Sequence, residues 1–289
     1  MTEFVTISGE FHPDGRFEWR PGYSENIDKS REFSDGLAAA EVANTRGEIL
    51  GRWSLSVLTY TDSGSNDFTI RGCVPLPEGA TVLRIIAAPD NRSARRVVTE
   101  QQIPSSVPLV RFTTVPSGRA AGRIRLGWQS SGTPEAVEYL VQYSVDNGTH
   151  WIPASSRLND HEAEVDLDQM PGGTKCVFRV MASNGVRSGS VVSEPFTVEL
   201  KRCRSFIVHP RDGGAYGREV LLSGNGWWLE GDRPELEQLT WSSDVDGLLG
   251  RGRTVVASLS PGEHHITLAA GADERAGSSD VRIVVSGAP

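Results

Sequence analysis

Short runs of alternating hydrophobic and polar residues recur along the chain, most clearly between residues 123 and 196. Within this stretch the runs 124–128, 139–144 and 176–181 alternate with a period of two, which places one set of side chains on a core face and the other toward water. Turn-forming residues separate the runs, as at 146–148, and no helical period lies between them. The pattern predicts an antiparallel β-sandwich of two sheets.

The same pattern continues on both sides of this stretch. A chain of 289 residues is long for one sandwich and suits two or three domains. Its 31 glycines and 16 prolines supply the turns that many short strands require. We therefore predict an all-β protein of three tandem antiparallel β-sandwich domains, with boundaries at 1–104, 105–199 and 200–289.

Two secondary structures, helix and strand, are possible for one segment of the first predicted domain. The alanine-rich run 38–43 has the composition of a short helix. A strand is favoured, because residues 44–48 have the composition of a hairpin turn and lead into the alternating run 49–57.

The middle of the chain resembles a fibronectin type III domain over about residues 106–198. Trp128 falls where this family has a tryptophan on its second strand, and the run 171–184, Pro-Gly-Gly-Thr-Lys-Cys-Val-Phe-Arg-Val-Met-Ala-Ser-Asn, matches its sixth strand. Cys176 stands where the family has its corner tyrosine, which removes a hydroxyl hydrogen bond. The resemblance implies an immunoglobulin-like sandwich with a small packing adjustment at Cys176.

The last predicted domain resembles the bacterial immunoglobulin-like or PKD-like repeats of large surface proteins. The run 239–252 matches Leu-x-Trp-x-Ser-Asp-x-Asp-Gly-x-Leu-Gly-x-Gly, and 259–268 matches Leu-x-x-Gly-x-His-x-Ile-x-Leu. With a Val-Pro-x-Pro-x-Gly run at 74–79, the order of domains resembles the non-catalytic C-terminal tails of bacterial secreted peptidases. That resemblance implies a peptidase as one candidate partner, although this sequence holds no peptidase domain.

The charge distribution and the cysteine content disfavour two classes of protein, those that bind nucleic acids and those held together by disulfides. The net charge of −8 is spread along the chain and leaves no basic domain, so nucleic-acid binding is disfavoured. Three cysteines, one in each predicted domain, do not form a disulfide framework. Cys73 and Cys176 are expected to be buried free thiols, and Cys203 is expected to be an exposed thiol between basic residues, either inert or with a lowered pKa.

No targeting signal is visible. The N-terminus lacks a basic leader followed by an apolar run, and no apolar run is long enough to span a membrane. We expect no membrane insertion. The location is cytoplasmic if the chain is complete, and extracellular if it is a tail excised from a secreted protein.

Candidate chemistry is sparse. His161 and Glu162 begin like a zinc-peptidase helix, but the second histidine at i+4 is absent, so a loop or strand is favoured. His264 and His265 are adjacent on a predicted strand, so they face opposite ways and cannot readily share a metal. The sequence has neither a nucleophile elbow nor a phosphate-binding loop. We predict a non-enzymatic protein; a site dispersed between domains is the remaining alternative.

Two aspartates are candidates for a metal. Asp244 and Asp246 flank one residue in a predicted turn, and clustered carboxylates suit Ca²⁺. Turn formation is the favoured interpretation, because aspartate side chains also bond nearby backbone amides. We therefore predict no cofactor, with calcium as the alternative.

Tryptophans are the candidate binding residues. Trp227 and Trp228 are adjacent, so one can be in the core while the other is exposed, although packing of both at the end of a sandwich is the favoured interpretation. Trp19 lies in the first predicted domain. An exposed tryptophan can contact a protein or stack on a sugar. The favoured hypothesis is a protein-binding or scaffold module. The alternative is a carbohydrate-binding or cell-surface adhesion module that uses these three tryptophans.

Overall fold

The computed structural model of the protein describes residues 3–12, 14–25, 36–59, 68–88, 94–231, 236–271 and 275–287. Across these residues the regular structure is β-strand apart from two single-turn 3₁₀ segments, which confirms the all-β prediction. None of the described helical segments is long or apolar enough to cross a membrane.

The first sandwich is one long sheet folded into two layers. Its described strands, in chain order, are β1 (Glu3–Phe11), β2 (Phe17–Arg20), β3 (Ser24–Glu25), β4 (Ala38–Ala43), β5 (Ile49–Thr59), β6 (Phe68–Leu76), β7 (Val82–Ala87) and β8 (Arg96–Gln102). They pair in the order β2-β1-β6-β5-β4-β7-β8, with β3 beside β1. Strand β5 belongs to both layers, because its first half pairs with β4 and its last four residues pair with β6.

The alanine-rich run 38–43 is strand β4, as favoured from the sequence. It lies between β5 and β7, and all six of its side chains are buried. A strand covered on both faces has little room, and alanine fits because its side chain is a single methyl group. The charged member, Glu41, is ion-paired with Arg52 on the neighbouring strand, which offsets the cost of burying a carboxylate.

The second sandwich has two facing sheets. Its strands are β9 (Leu109–Thr114), β10 (Arg119–Ala120), β11 (Arg123–Ser131), β12 (Glu138–Ser144), β13 (Ile152–Leu158), β14 (Glu162–Asp166), β15 (Gly173–Ser183), β16 (Ser188–Val192) and β17 (Phe196–Val198). One sheet has the order β14-β11-β9, and the other has β10-β17-β15-β12-β13 with β16 also paired to β15. This arrangement is of the fibronectin type III and immunoglobulin-like class.

The cysteine at the corner position is accommodated as the resemblance implied. Cys176 is fully buried, and its thiol lies 3.3 Å from the carbonyl oxygen of Gly173. A hydroxyl from the neighbouring strand bonds at this corner, because Tyr143 donates to the carbonyl oxygen of Pro171 at 2.9 Å. Burial raises the pKa of the Cys176 thiol, so it stays protonated.

The third sandwich also has two sheets. Its strands are β18 (Arg204–His209), β19 (Gly214–Tyr216), β20 (Glu219–Trp227), β21 (Leu239–Ser243), β22 (Gly247–Arg251), β23 (Thr254–Ser258), β24 (Gly262–Ala270) and β25 (Gly277–Val285). The smaller sheet has the order β18-β20-β23, and the larger has β19-β25-β24-β21-β22. Strand β19 pairs in parallel with β25, and the remaining pairs are antiparallel.

Each sandwich has its own hydrophobic cluster. Trp128 is buried in the second cluster and Trp241 in the third, where its indole N–H donates to the carbonyl oxygen of Gly252 at 2.9 Å. The clusters lie in the three predicted ranges with one exception, since Val186 of the second range packs into the first. Whether the boundaries at 1–104, 105–199 and 200–289 define units that fold independently stays a prediction.

The first and second sandwiches are joined through backbone groups. The N–H of Gly22 donates to the carbonyl oxygen of Gly185 at 2.8 Å, and the Trp19 indole N–H donates to the same oxygen at 3.1 Å. Ser24 and Ser188 exchange hydrogen bonds, each backbone N–H donating to the other's hydroxyl. With Val186 inserted beside them, these contacts form a close-fitting joint.

The second and third sandwiches are joined through one carboxylate. Glu230 accepts hydrogen bonds from the backbone N–H of Gly172 and of Lys201, both at 3.0 Å, and pairs with Arg275 at 2.9 Å. Burial opposes the ionisation of Glu230, but these donors outweigh it, so its pKa lies below the ordinary value for glutamate. We call this cluster of four residues the Glu230 joint.

Candidate binding surface

The outer face of the β18-β20-β23 sheet is apolar and exposed. Along each strand the residues alternate, so one set packs into the third core while the other points to solvent. Five of the outward side chains are large and hydrophobic: Phe206, Val208, Leu221, Trp227 and Val256. We call these five the apolar face.

The apolar face contains two pairs of neighbouring side chains, one toward each end of strand β20. Leu221 and Val256 lie directly opposite each other on β20 and β23. Phe206 lies beside Trp227, with ring centroids 5.5 Å apart and the ring planes inclined at 62° in an edge-on contact. Val256 is 67% exposed, so the face is open to solvent. Ser223 and Asn225 lie between Leu221 and Trp227 on the outer side of β20, and Asn225 is opposite Phe206.

Of these five residues, the sequence analysis had named only Trp227 as a candidate binding residue. A signal for the others was present, because the runs 206–208, 220–222 and 255–256 are apolar at consecutive positions. In an antiparallel sheet with one solvated face, alternation is expected, so an unbroken apolar run indicates that both faces are hydrophobic.

The adjacent tryptophans face opposite ways. Trp227 is exposed on the apolar face, whereas Trp228 is half-buried and packs against the third core. The guanidinium of Arg275 lies 5.5 Å from the centre of the Trp228 ring, next to the Glu230 joint. Trp228 is therefore used in packing, and Trp227 is the member of the pair that is accessible to a ligand.

Trp19 is not brought near the other two. It lies on β2 of the first sandwich, packs against that core, and donates its indole N–H to Gly185 of the second sandwich. It stands beside Phe17 in an edge-on contact. The structure thus gives Trp19 a role in the joint between domains, and no shared surface links it to Trp227.

The two candidate calcium ligands hold the turns of the third sandwich. Asp244 accepts a hydrogen bond from the backbone N–H of His265 at 2.7 Å, and this bond lowers the pKa of the carboxyl group. Asp246 accepts bonds from the hydroxyl and the backbone N–H of Ser260, which likewise lower its pKa. Both oxygens of Asp246 are used in this way, so the geometry favours the turn interpretation, and calcium stays an untested alternative.

The histidines lie where adjacent strand positions place them. His264 is buried, with its ring nitrogens 2.9 Å from the Ser243 hydroxyl and 2.6 Å from the carbonyl oxygen of Ser260. His265 points to the opposite face and lies 2.7 Å from an oxygen of Asp280. His161 lies directly before strand β14 and not on a helix. This agrees with the prediction of a loop or strand, which was made because no second histidine follows at i+4.

The prediction for Cys203 was wrong. The side chain is 3% exposed and belongs to the third core cluster, although its neighbours in the sequence are basic. Burial raises the pKa of its thiol, despite the nearby Arg275. The local charge pattern misled because the flanking side chains point away from the core while Cys203 points into it.

A cleft of about 870 Å³ lies at the boundary of the second and third sandwiches. It contains several basic side chains, which would suit an anionic ligand. However, Arg119 is 3.3 Å from Glu199, and Lys201 is 3.8 Å from Asp168. Because Arg119 and Lys201 are already paired, the cleft is a weaker candidate than the apolar face.

Comparisons with known proteins add no functional assignment. No known protein family matches the sequence, and no curated protein matches it. Among solved structures the chain is similar to fibronectin(III)-like modules of CbhA from Clostridium thermocellum, with 17% identity, a TM-score of 0.26, and coverage of 61% of this chain and 94% of that one. It is similar to the chicken interferon gamma receptor alpha chain, with 13% identity, a TM-score of 0.26, and coverage of 63% and 98%.

A chimeric titin Z1Z2 is also similar, with 14% identity, a TM-score of 0.22, and coverage of 64% of this chain and 100% of that one. Identities and TM-scores this low carry no argument about function. The strand pairing itself defines the class: a chain of tandem immunoglobulin-like sandwiches that exposes one apolar sheet face.

Proposed function

We propose that this protein is a non-catalytic binding module whose apolar face docks a protein partner. The observation that carries the proposal is the presence of five large apolar side chains on one sheet face of the third sandwich. Several large exposed apolar side chains on one sheet face mark interaction sites in soluble proteins, whereas single exposed hydrophobic residues do not.

The size of the apolar face limits the binding free energy that it can supply without other contacts. The exposed fractions of its side chains correspond to on the order of 400 Å² of apolar surface. Its burial would contribute about 10 kcal/mol at ~25 cal/mol per Å². Association itself costs ~4–15 kcal/mol, so the face alone supports weak binding. A partner must therefore also contact polar side chains of the same face, such as Asn225 and Arg204.

The partner we propose first is a bacterial peptidase. The support is the resemblance of the domain order to the non-catalytic tails of secreted peptidases. In this arrangement the three sandwiches act as a scaffold that holds the apolar face at a set distance from the catalytic chain. The two joints described above, built on Gly185 and on Glu230, favour a fixed relation between neighbouring sandwiches.

Replacing Val256 by aspartate is expected to weaken partner binding at least ~10-fold without unfolding the protein. A charge at this highly exposed position of the face would have to be desolvated on docking, which costs several kcal/mol when it stays unpaired. The partner is first captured from native extract with the full chain, and its affinity for each variant is then measured by surface plasmon resonance.

The matched control for this variant is Leu248→Asp. Leu248 is as exposed as Val256, but it lies on edge strand β22 of the other sheet. Unchanged affinity for Leu248→Asp together with lost affinity for Val256→Asp would support the proposal. Equal affinity for the two variants and the parent chain would place the partner on another surface.

A carbohydrate ligand is the second candidate, favoured by the exposure of Trp227 beside Asn225. An aromatic ring can stack on a sugar while an amide binds its hydroxyl groups. In this case Trp227→Ala abolishes binding on a glycan array, and Val256→Asp, one strand away, has little effect. Protein docking predicts that both variants lose binding, so the pair of variants separates the two functions.

A further inference from the structure

The end of the apolar face that carries Phe206 and Trp227 is bordered by positive charge. Arg204 lies directly opposite Trp227 in the pairing of β18 with β20, and it shares the exposed side of β18 with Phe206. Arg202 precedes it by two residues and is also exposed. Because Cys203 between them points into the third core, both guanidinium groups lie on the solvent side of this segment.

The acidic side chains at the boundary of the second and third sandwiches are paired with other bases. The pairs are Glu199 with Arg119 at 3.3 Å, Asp168 with Lys201 at 3.8 Å, and Glu230 with Arg275 at 2.9 Å. Arg202 also lines the cleft at this boundary. Neither Arg202 nor Arg204 forms an ion pair with a residue that the structure describes. The boundary therefore has a local surplus of positive charge, although the net charge of the whole chain is −8.

The guanidinium of Arg204 is held by a contact with the second sandwich. It donates a hydrogen bond to the side-chain oxygen of Gln169 at 2.9 Å. A guanidinium has five N–H donors in a planar fork, so this bond to a neutral amide leaves donors for a carboxylate. A side chain that is already anchored loses less conformational freedom when a ligand binds. Arg204 is thus oriented for an anionic group next to Trp227.

The other end of the apolar face has the opposite charge. Glu219 is exposed and precedes Leu221 by two residues on the outer side of β20. From Leu221 to Trp227 the strand extends about 20 Å, at ~3.3 Å per residue. A ligand that carries a carboxylate at one end therefore meets Arg204 in one orientation and is repelled by Glu219 in the other.

We propose that the apolar face binds a partner segment in which large apolar residues are flanked at one end by one or two carboxylates. The carboxylates bind Arg204 and Arg202, while the apolar residues cover the face. This inference rests on the proposed function, since it specifies the chemistry of the partner. Arginine–carboxylate hydrogen bonds are charge-assisted and can be bidentate, so they supply the polar contacts that the face needs for more than weak binding.

An anionic lipid surface is the less favoured ligand for these residues. Basic segments that recognise acidic lipids typically hold about 4–8 lysines and arginines, and here two arginines are available. The net charge of −8 also repels the chain from an anionic surface as a whole. A short protein segment needs only the local surplus of positive charge.

The test is selection from a random peptide library displayed on phage, with the immobilised full chain as the target. Peptides of about twelve residues are roughly twice as long as the face when extended. We expect the enriched sequences to carry Asp or Glu at one end of a group of large apolar residues. Synthetic copies of these peptides are then titrated against each variant by fluorescence anisotropy. The double variant Arg202→Gln with Arg204→Gln should bind them at least ~10-fold more weakly and with less dependence on salt.

The matched control is Arg282→Gln, which removes one positive charge from an exposed position on β25, in the other sheet of the same sandwich. Its affinity for the peptides should equal that of the parent chain. Thermal unfolding of each variant checks that it is folded.

Val256→Asp separates failure of this inference from failure of the proposed function. If Val256→Asp loses the peptides but the double arginine variant keeps them, the inference is overturned and the apolar face remains the docking site. Peptides that still bind Val256→Asp contradict both. Enrichment of basic or uncharged peptides, or of none, overturns the inference, as does binding of the parent chain, but not of the double variant, to vesicles containing phosphatidylserine, which would assign the arginines to lipid.

Discussion

Replacing Trp241 by alanine is expected to lower the free energy of unfolding of the third sandwich by about 3–5 kcal/mol and to leave the other two sandwiches folded. Trp241 is completely buried in the third cluster, between the two sheets. Its removal leaves a cavity the size of an indole and also deprives the carbonyl oxygen of Gly252 of its donor. For a domain of this size the loss corresponds to a fall in melting temperature of roughly 15–30 °C.

Differential scanning calorimetry measures this effect directly. The control is Trp227→Ala, which removes the same side chain from the exposed face of the same sandwich and is expected to cost about 1 kcal/mol or less. A separate early transition in Trp241→Ala, assigned by limited proteolysis to residues 200–289, would support the predicted third boundary. A single transition that shifts as a whole would instead show that the sandwiches unfold as one unit.

The strand content could be predicted from the sequence because it depends on a local pattern. Alternation with a period of two requires no knowledge of the partner strand, and it identified the strands around Trp128 and Trp241. The segment 38–43 was harder, since alanine favours a helix in isolation. Tertiary context overrode that propensity, because this strand is central and its two faces accept only small side chains.

Side-chain exposure could be predicted only in part. From the sequence, packing of both Trp227 and Trp228 at the end of a sandwich was favoured, and the exposure of Trp227 contradicts it. Adjacent strand positions face opposite ways, so exposure of one of the two was the alternative. The sequence did not say which, because the answer depends on which side of β20 faces the second sheet. The same uncertainty applies to Cys203, whose basic neighbours indicated a surface position although the thiol is buried.

The joints and the register of the β1–β2 hairpin could not be predicted, because they depend on pairings between residues that are apart in the sequence. The contact of Gly22 with Gly185 uses backbone atoms, which every residue has, so no sequence signal marks it. Glu10 and Glu18 lie opposite each other only in one register of the hairpin, and a shift by one residue would send Glu18 to the other face.

A large effect is also expected at the Glu230 joint, because one side chain there contacts three other residues. Glu230→Ala is expected to cost ~2–4 kcal/mol. The change leaves two backbone N–H groups, those of Gly172 and Lys201, without their acceptor, and it leaves Arg275 without its carboxylate. These groups belong to the second sandwich, the connection and the third sandwich, so the loss falls on the contact between the domains.

The joint should also respond to pH. The pKa of Glu230 is lower in the folded protein than the ordinary value of about 4.3 for an unfolded chain. Its ionised form therefore stabilises the joint fully above that value, and the contribution is lost as the pH falls through the lower folded pKa. We expect the parent chain to lose inter-domain order only when the pH falls below the ordinary glutamate value, whereas Glu230→Gln, which cannot ionise, is weakened at neutral pH and loses this pH dependence.

Small-angle scattering between pH 3 and pH 7 measures the effect as a change in radius of gyration, and calorimetry gives the stability of each variant. The control is Glu199→Gln, because Glu199 lies near the same boundary but is largely exposed in its pair with Arg119. An exposed pair contributes at most about 1 kcal/mol, so this variant should behave like the parent chain. If Glu230→Ala and Glu199→Gln gave the same scattering and the same stability, the Glu230 carboxylate would not be what holds the two sandwiches together.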